Sequence, residues 1–248
     1  MTHVQLLKKK DEAEVLIPKY DRMMERQTGT KVKVIRTDGG GEFINGVIDK
    51  YTSAQGIKHE VSVSYVHEQH GVSERTNRWL EEMATAMMLR GNLPVKFWGD
   101  AIATAAYIKN RSVHSTLLKA GRSTPYESFY HRTPDVSKFR TFGCRAYAHV
   151  PKELRKKYGQ KARICILIGY GDMDSLNHKS YSGYKLYDVE TKEVFYSRHV
   201  TFNEKILGFK NITPEERSCI RILFDEDVDR EDHIATAKIP LTFDESKL

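Results

Sequence analysis

The sequence predicts a mixed α/β domain followed by a small antiparallel β barrel, and three observations carry that reading. Strand-like and helix-like apolar patterns alternate as far as about residue 112. A stretch rich in Gly, Ser, Thr and Pro then runs from Ser112 to Asp135. Beyond Phe139, short β-like runs follow one another, separated by turns.

Taken in order, Val4, Leu6 and Leu7 give a short strand over residues 3–8 that ends in three lysines. Val15, Leu16, Tyr20, Met23, Met24 and Gln27 fall at helical spacing, with Pro18 kinking that helix or resetting its start. Residues 27–30 form a turn around Gly29. Residues 31–36 alternate Val32, Val34 and Ile35 with bases, as a strand does, and run into Thr37-Asp38-Gly39-Gly40-Gly41. Phe43, Val47, Ile48 and Tyr51 step by three or four, giving a helix that ends near Gly56, and residues 57–63 form another strand. After an irregular loop, Val72, Trp79, Leu80, Met83 and Met87 define an amphipathic helix that Gly91-Asn92 closes. Phe97, Ala101, Ile102, Ala105 and Ile108 define a second helix, opened by Pro94. Trp79, Trp98, Met83, Met87 and Met88 fit packing between these two helices. The β-like runs of the second part are residues 145–150, 164–170, 184–189 and 194–202, with Asp188-Val-Glu-Thr-Lys192 as a turn.

Composition narrows the class. The chain has 248 residues, 40% apolar and 29% charged, which excludes a disordered tail and a membrane protein. No apolar run approaches the roughly 18 to 20 residues of a spanning helix, and the start lacks the order of a signal peptide, so a soluble intracellular protein is expected. Cys144, Cys165 and Cys219 are far apart and odd in number, and form neither a disulfide framework nor a Cys-x-x-Cys knuckle. Residues 224–248 carry a net charge of −5 and the first 223 residues a net of +12. So basic a body favours a polyanionic partner, nucleic acid above all.

Two acids stand where chemistry is placed. Asp38 follows directly on a β run and precedes three glycines, at the carboxyl end of a strand, where α/β sheets bind ligands. Glu74 lies at the start of the amphipathic helix, within Gly71-Val-Ser-Glu-Arg-Thr-Asn-Arg78, and thirty-five residues separate the two. Each alone reads as an ordinary turn aspartate and an ordinary first-turn glutamate.

Together, in these flanks, they resemble the integrase of copia-type retrotransposons. The matching residues are Arg36-Thr-Asp-Gly-Gly-Gly-Glu-Phe43, Gln69-His-Gly-Val-Ser-Glu-Arg-Thr-Asn-Arg78, Thr124-Pro-Tyr-Glu127 and Phe142-Gly-Cys144, in order between about residues 4 and 204. The resemblance implies an RNase H-like catalytic core in which three carboxylates hold two Mg²⁺ or Mn²⁺ ions, with Asp38 as the second carboxylate and Glu74 as the third. Two close cations activate a water or 3′-hydroxyl and stabilise the leaving oxygen of a DNA phosphodiester, and hard oxygen ligands suit them. It implies DNA partners (element ends and target), action in the nucleus, and a homo-oligomer where the core is intact.

The departures are equally specific. The family's first carboxylate lies on a strand ahead of the one that Val4 to Lys8 resembles, so this chain begins after it, and Asp11 and Asp21 come too late to replace it. The expected core is therefore an RNase H-like mixed sheet without its first strands. The family's Asp-Asn-Gly reads Asp38-Gly39-Gly40 here, its Pro-x-Gln-Asn-Gly reads His67-Glu68-Gln69-His70-Gly71, and its amino-terminal His/Cys zinc module has no counterpart. His67 and His70 are one residue short of a zinc-protease His-Glu-x-x-His and fall in the loop before the helix, which leaves them as loop histidines.

The β-rich part resembles the SH3-like domain that follows the core in copia-type polyproteins. The organisation implied is a partial core over residues 1–112, a linker over 113–138, an SH3-like barrel over 139–204 and an acidic tail over 205–248. Residues 151–163 hold six bases, Lys152, Arg155, Lys156, Lys157, Lys161 and Arg163, against the single acid Glu153. Such a cluster beside a small barrel suits sequence-independent phosphate contact. Arg75 and Arg78, beside Glu74, are further candidates for the DNA backbone. Three functions fit: an integrase fragment for 3′-end processing and strand transfer that is catalytically incomplete, a domesticated, non-enzymatic DNA-binding or assembly module, or a nuclease with some other third ligand.

Overall fold

The computed structural model describes residues 1–61, 67–119, 121, 123–151, 153, 161–171 and 181–209. Contacts divide them into two compact units, Val4–Trp79 and, with Met1–His3, the residues from Leu80 onward.

In the first unit, helix α1 (Glu12–Thr28) opens with Glu12 and Glu14, whose charges suit the amino-terminal dipole. Gly29, at φ 68°, ends it by donating its N–H to the Glu25 carbonyl at 2.8 Å. The helix runs unbroken through Pro18, because Ala13, Ile17, Tyr20 and Met24 bury one face on both sides of the proline. Strands β1 (Val34–Thr37) and β2 (Lys58–Val61) pair in parallel, with Ile35 opposite His59. Helix α2 (Gly46–Gln55) connects them as a βαβ crossover. Asn45 caps α2 by accepting from the N–H groups of Val47 and Ile48, both at 3.0 Å, and its amide donates to Glu14 at 2.8 Å. Ala13, Ile17, Ile35, Phe43, Ile48 and Ile57 form the core, with Leu7, Val32 and Tyr51 packed against it.

The structure corrects one strand. Residues 3–8 make no ladder, although Leu7 reaches the core. A strand exists only through a neighbour's backbone groups, and the described sheet here is β1 and β2 alone. The Lys8 N–H is instead taken by the Glu12 carboxylate at 3.2 Å. Tyr51 ties α2 to α1 by donating its hydroxyl to buried Asp21. Burial holds the Asp21 carboxyl above the usual carboxylate range, and the Tyr51 bond pulls it partly back.

Helix α3 (His67–Gly91) starts earlier than the sequence pattern predicts, so residues 67–70 are helical and Glu74 stands two turns in. Gly71 lies inside the helix, where one glycine costs about 1 kcal/mol against alanine, and a 25-residue helix absorbs that. A single 3₁₀ turn (Val95–Phe97) leads into α4 (Trp98–Arg111). The segment expected to be a plain loop holds two short helices, α5 (Ser115–Lys119) and α6 (Pro125–Tyr130). The cause of α6 is local. Thr124 accepts from the Glu127 N–H at 3.1 Å, Glu127 accepts from the Ser123 N–H at 2.9 Å, and Pro125 takes the first helical position.

Five antiparallel strands complete the second unit: β3 (Cys144–His149), β4 (Ala162–Tyr170), β5 (Tyr184–Asp188), β6 (Val194–Ser197) and β7 (Val200–Leu207), in the order β6-β5-β4-β3-β7. The run 194–202 thus splits at Arg198, because β6 pairs with β5 while β7 crosses to pair with β3. Cys144, Ala146, Ala148, Cys165, Leu167 and Leu186 form the core. Both cysteines are free, and burial pushes each thiol up to about 12. Helix α4 packs on β4, with Tyr107 stacked on Tyr170 at 4.4 Å and 13°. Among the described residues no helix is long and apolar enough to cross a membrane.

Candidate active-site carboxylates and nucleic-acid interface

Asp38 leaves the carboxyl end of β1 half-buried, and its Oδ1 accepts from the Gly40 N–H at 3.4 Å. The loop is anchored one turn later, where Phe43 donates its N–H to the Gly40 carbonyl at 2.9 Å and buries its ring in the core. Below it, the buried Thr37 hydroxyl lies 2.9 Å from His59 Nε2, and His59 Nδ1 lies 3.9 Å from Asp49 on α2. These contacts fix the strand end from which Asp38 emerges.

Strand alternation puts Arg36 on the opposite face from Ile35 and Thr37. There Glu60 accepts from Arg36 Nε and Nη2 at 3.1 and 2.6 Å, and from Lys58 Nζ at 2.8 Å. The Lys58 and Arg36 hydrogen bonds hold the Glu60 carboxyl down at about 2. Its oxygens are thus engaged by cations, which makes it a poor ligand for a further one.

Glu74 belongs to the same unit as Asp38 and is exposed on α3, as are Arg75 and Arg78. A Cβ on Gly71 would meet Arg75 Nη1 at 3.3 Å, so the glycine leaves the guanidinium room to fold back along the helix. Asp38 and Glu74 are donors of the hard type that Mg²⁺ and Mn²⁺ take. Among the described residues, however, no three His, Cys, Asp or Glu side chains gather to hold a metal ion. His67 and His70 fall within α3, and their side chains, like Lys152, Arg155, Lys156 and Lys157, lie outside the described residues.

Two bases of the loop are described, and they differ. Arg163 sits 3.7 Å from buried Asp188 and 5.7 Å over the Phe195 ring, so its charge is partly committed within the sheet. Exposed Lys161 lines a cleft of about 520 Å³ with Tyr147, His149, Ala162, His199, Val200 and Thr201. Backbone bonds from His149 N–H to the His199 carbonyl at 2.9 Å, and from Val150 N–H to the Lys161 carbonyl at 3.0 Å, hold its walls. Sequence reasoning does not find Tyr147, His149, His199 and Thr201. Their signal is period two: Tyr147 and His149 alternate on β3, and Thr201 lies opposite Tyr147 on β7.

The fold is an α/β unit built on a parallel strand pair, followed by a five-stranded antiparallel domain, and comparison with known proteins gives it a family. Residues 144–216 match the retroviral polymerase SH3-like domain family. The retrovirus-related Pol polyprotein from transposon TNT 1-94 of Nicotiana tabacum is 39% identical over 201 residues, 81% of this chain and 14% of that protein. Its counterpart from transposon RE1 of Arabidopsis thaliana is 29% identical over 205 residues, 83% of this chain and 13% of that protein. The catalytic core domain of BIV integrase is more loosely similar, at 22% identity and a TM-score of 0.37, over 51% of this chain and 76% of that one. The chain belongs to the copia-type retrotransposon Pol polyproteins, in their integrase region. It spans about one seventh of the length of the curated relatives it matches.

Proposed function

We propose that this chain is a DNA-handling part of a retrotransposon integrase, acting in the nucleus on element ends and target DNA. It contributes Asp38 and Glu74 as the second and third carboxylates of 3′-end processing and strand transfer, and does not complete the divalent-metal site by itself. The observation that carries this reading is Asp38 at the carboxyl end of a parallel strand, in a chain homologous to Pol polyproteins along 81% of its length. The proposed organisation is a partial RNase H-like core over residues 1–112, a linker over 113–138, an SH3-like domain over 139–204 and an acidic tail over 205–248. Self-association and dependence on Mg²⁺ or Mn²⁺ belong to the completed core. A second reading is a domesticated DNA-binding or assembly module without catalysis, which would need only the basic residues of the chain.

The catalytic half of the proposal is tested on the purified 248-residue chain with Mg²⁺ or Mn²⁺ and labelled DNA ends. No end processing or joining is expected, since two carboxylates offer too few ligands for a metal pair. Strand transfer that Glu74→Gln abolishes would show a complete site.

The binding half rests on Lys152, Arg155, Lys156, Lys157, Lys161 and Arg163, with Arg75 and Arg78 on α3. Neutralising Lys156, Lys157 and Lys161 together is expected to lower the log–log salt dependence of duplex DNA affinity by about 0.9 for each phosphate no longer neutralised, with sequence preference unchanged. An unaltered slope would reduce the loop to a solvated surface.

A further inference from the structure

The surface around α6 is not used by the carboxylates or by the basic loop. Residues 107–140 contain seven bases, two acids and five aromatic residues, a net charge of +5. The structure interleaves them. The Arg111 guanidinium lies 3.5 Å from the Tyr107 ring centre and 4.6 Å from that of Tyr126. Arg132 lies 5.6 Å from both Tyr126 and Tyr130, and its Nε donates to the Tyr126 hydroxyl at 3.0 Å. Tyr126 and Tyr130 are 4.7 Å apart, and Phe129 meets Tyr130 edge-on at 4.8 Å.

Burial separates this cluster from a core. Three of the six residues of α6 are aromatic, and none of the six is buried. Tyr126, Phe129 and Tyr130 are half-exposed and Arg132 is exposed. Both acids are engaged: Glu127 caps α6, and Asp135 accepts from the Ser137 hydroxyl at 2.6 Å and lies 3.3 Å from Lys138. What faces solvent is therefore aromatic and cationic together. Aromatic rings offer planar faces to any unpaired base, guanidiniums pair with phosphates, and the two combined bind single strands with little sequence preference. Duplex DNA keeps its base faces stacked within the helix and cannot use the rings.

We propose that the α6 surface binds single-stranded nucleic acid, with bases stacked on Phe129 and Tyr130 and a phosphate on Arg132. A proline-rich peptide would also suit half-exposed aromatics, but the net charge of +5 favours the polyanion. The proposal stands apart from the integrase reading, because it uses neither Asp38 and Glu74 nor the 151–163 loop.

The test is fluorescence anisotropy on the full chain with a labelled twelve-nucleotide oligo(dT), an abasic deoxyribose-phosphate strand of equal length and a duplex. Oligo(dT) is expected to bind about tenfold tighter than the abasic strand. Phe129→Leu with Tyr130→Leu keeps apolar bulk but removes the planar faces. It should cut oligo(dT) affinity about tenfold and leave the abasic strand and the duplex unchanged. Arg132→Gln should lower the oligo(dT) salt slope by about 0.7. Oligo(dT) preference that survives neutralisation of Lys156, Lys157 and Lys161 removes the loop as its source, and preference lost with those lysines overturns the proposal. Equal affinity of the wild-type chain for oligo(dT) and the abasic strand overturns the proposal, and that comparison decides even if the leucine variant folds poorly. So does a folded leucine variant with unchanged oligo(dT) affinity, or a proline-rich peptide that binds where oligo(dT) does not.

Discussion

Gly208→Val is expected to destabilise the unit from Leu80 onward by about 3 kcal/mol or more, from two additive causes. Gly208 has φ +49°, a left-handed conformation that costs an L residue roughly 1 to 2 kcal/mol and a β-branched one at the upper end. A Cβ built there would also fall against the carbonyl oxygen of Gly91 and lie 3.3 Å from that of Asn92. The neighbourhood cannot give way. The Gly208 N–H donates to the Gly143 carbonyl at 2.5 Å, and a Cβ on Gly143, at φ +79°, would stand 3.0 Å from the Gly91 Cα. The end of α3 thus meets the start of β3 and the end of β7 backbone to backbone. Gly121→Ala, in the same unit and at φ +74°, is the control. It shares the positive φ, but nothing lies within 4 Å of the added carbon, so only the backbone cost of about 1 kcal/mol should appear. Denaturant midpoints of the two variants decide the matter, and equal losses would mean that the three-glycine contact does not hold the unit.

That contact also gives the Phe142-Gly143-Cys144 match a physical reason, which spacing alone could not supply. Local signals in the sequence located most elements well. Gly29, Gly56 and Gly91 mark real helix ends, and the alternation in residues 145–150 and 164–170 marks real strands. The failures are of two kinds. Residues 3–8 carry a strand pattern but pair with no strand among the described residues, and partnership is a tertiary fact that no local pattern contains. Helix α6, by contrast, was legible: Thr124-Pro-Tyr-Glu127 is a capping box with proline at the first helical position, and the loop-like composition around it hid the signal.

The site divides in the same way. Asp38 is readable because a β run followed by glycines fixes where its carboxylate emerges, and the structure adds the Thr37, His59 and Asp49 contacts beneath it. Those residues are ten to twenty-two positions apart and become neighbours only when α2 folds over β1 and β2. Glu60 illustrates the converse: it is an acid close in sequence to neither Arg36 nor Asp38, and parallel register sets it opposite Arg36, where it serves as a counter-ion.

Hydrogen exchange should be markedly slower in β4 than in β1, by about a hundredfold or more at Ile166–Ile168 relative to Val34–Thr37. Strand β4 is bonded on both sides, by β3 and β5, and Cys165, Ile166, Leu167 and Ile168 are shielded almost completely from water. Its amides can exchange only if the five-stranded sheet opens as a whole. Strand β1 has four residues and, among the described residues, one neighbour, with which it shares four registered pairs. Two-stranded sheets are marginal by themselves, and parallel pairs are slightly weaker per residue than antiparallel ones. What holds β1 is the packing of Ile35 against Ala13, Ile17, Phe43 and Ile48, a small core that local opening of either strand exposes. Each tenfold in protection is about 1.4 kcal/mol of opening free energy, so a hundredfold gap needs a difference of about 3 kcal/mol, well inside the spread seen within single proteins. Protection at Val34–Thr37 equal to that at Ile166–Ile168 would mean that β1 has a second strand partner, and that the sheet beside Asp38 is complete.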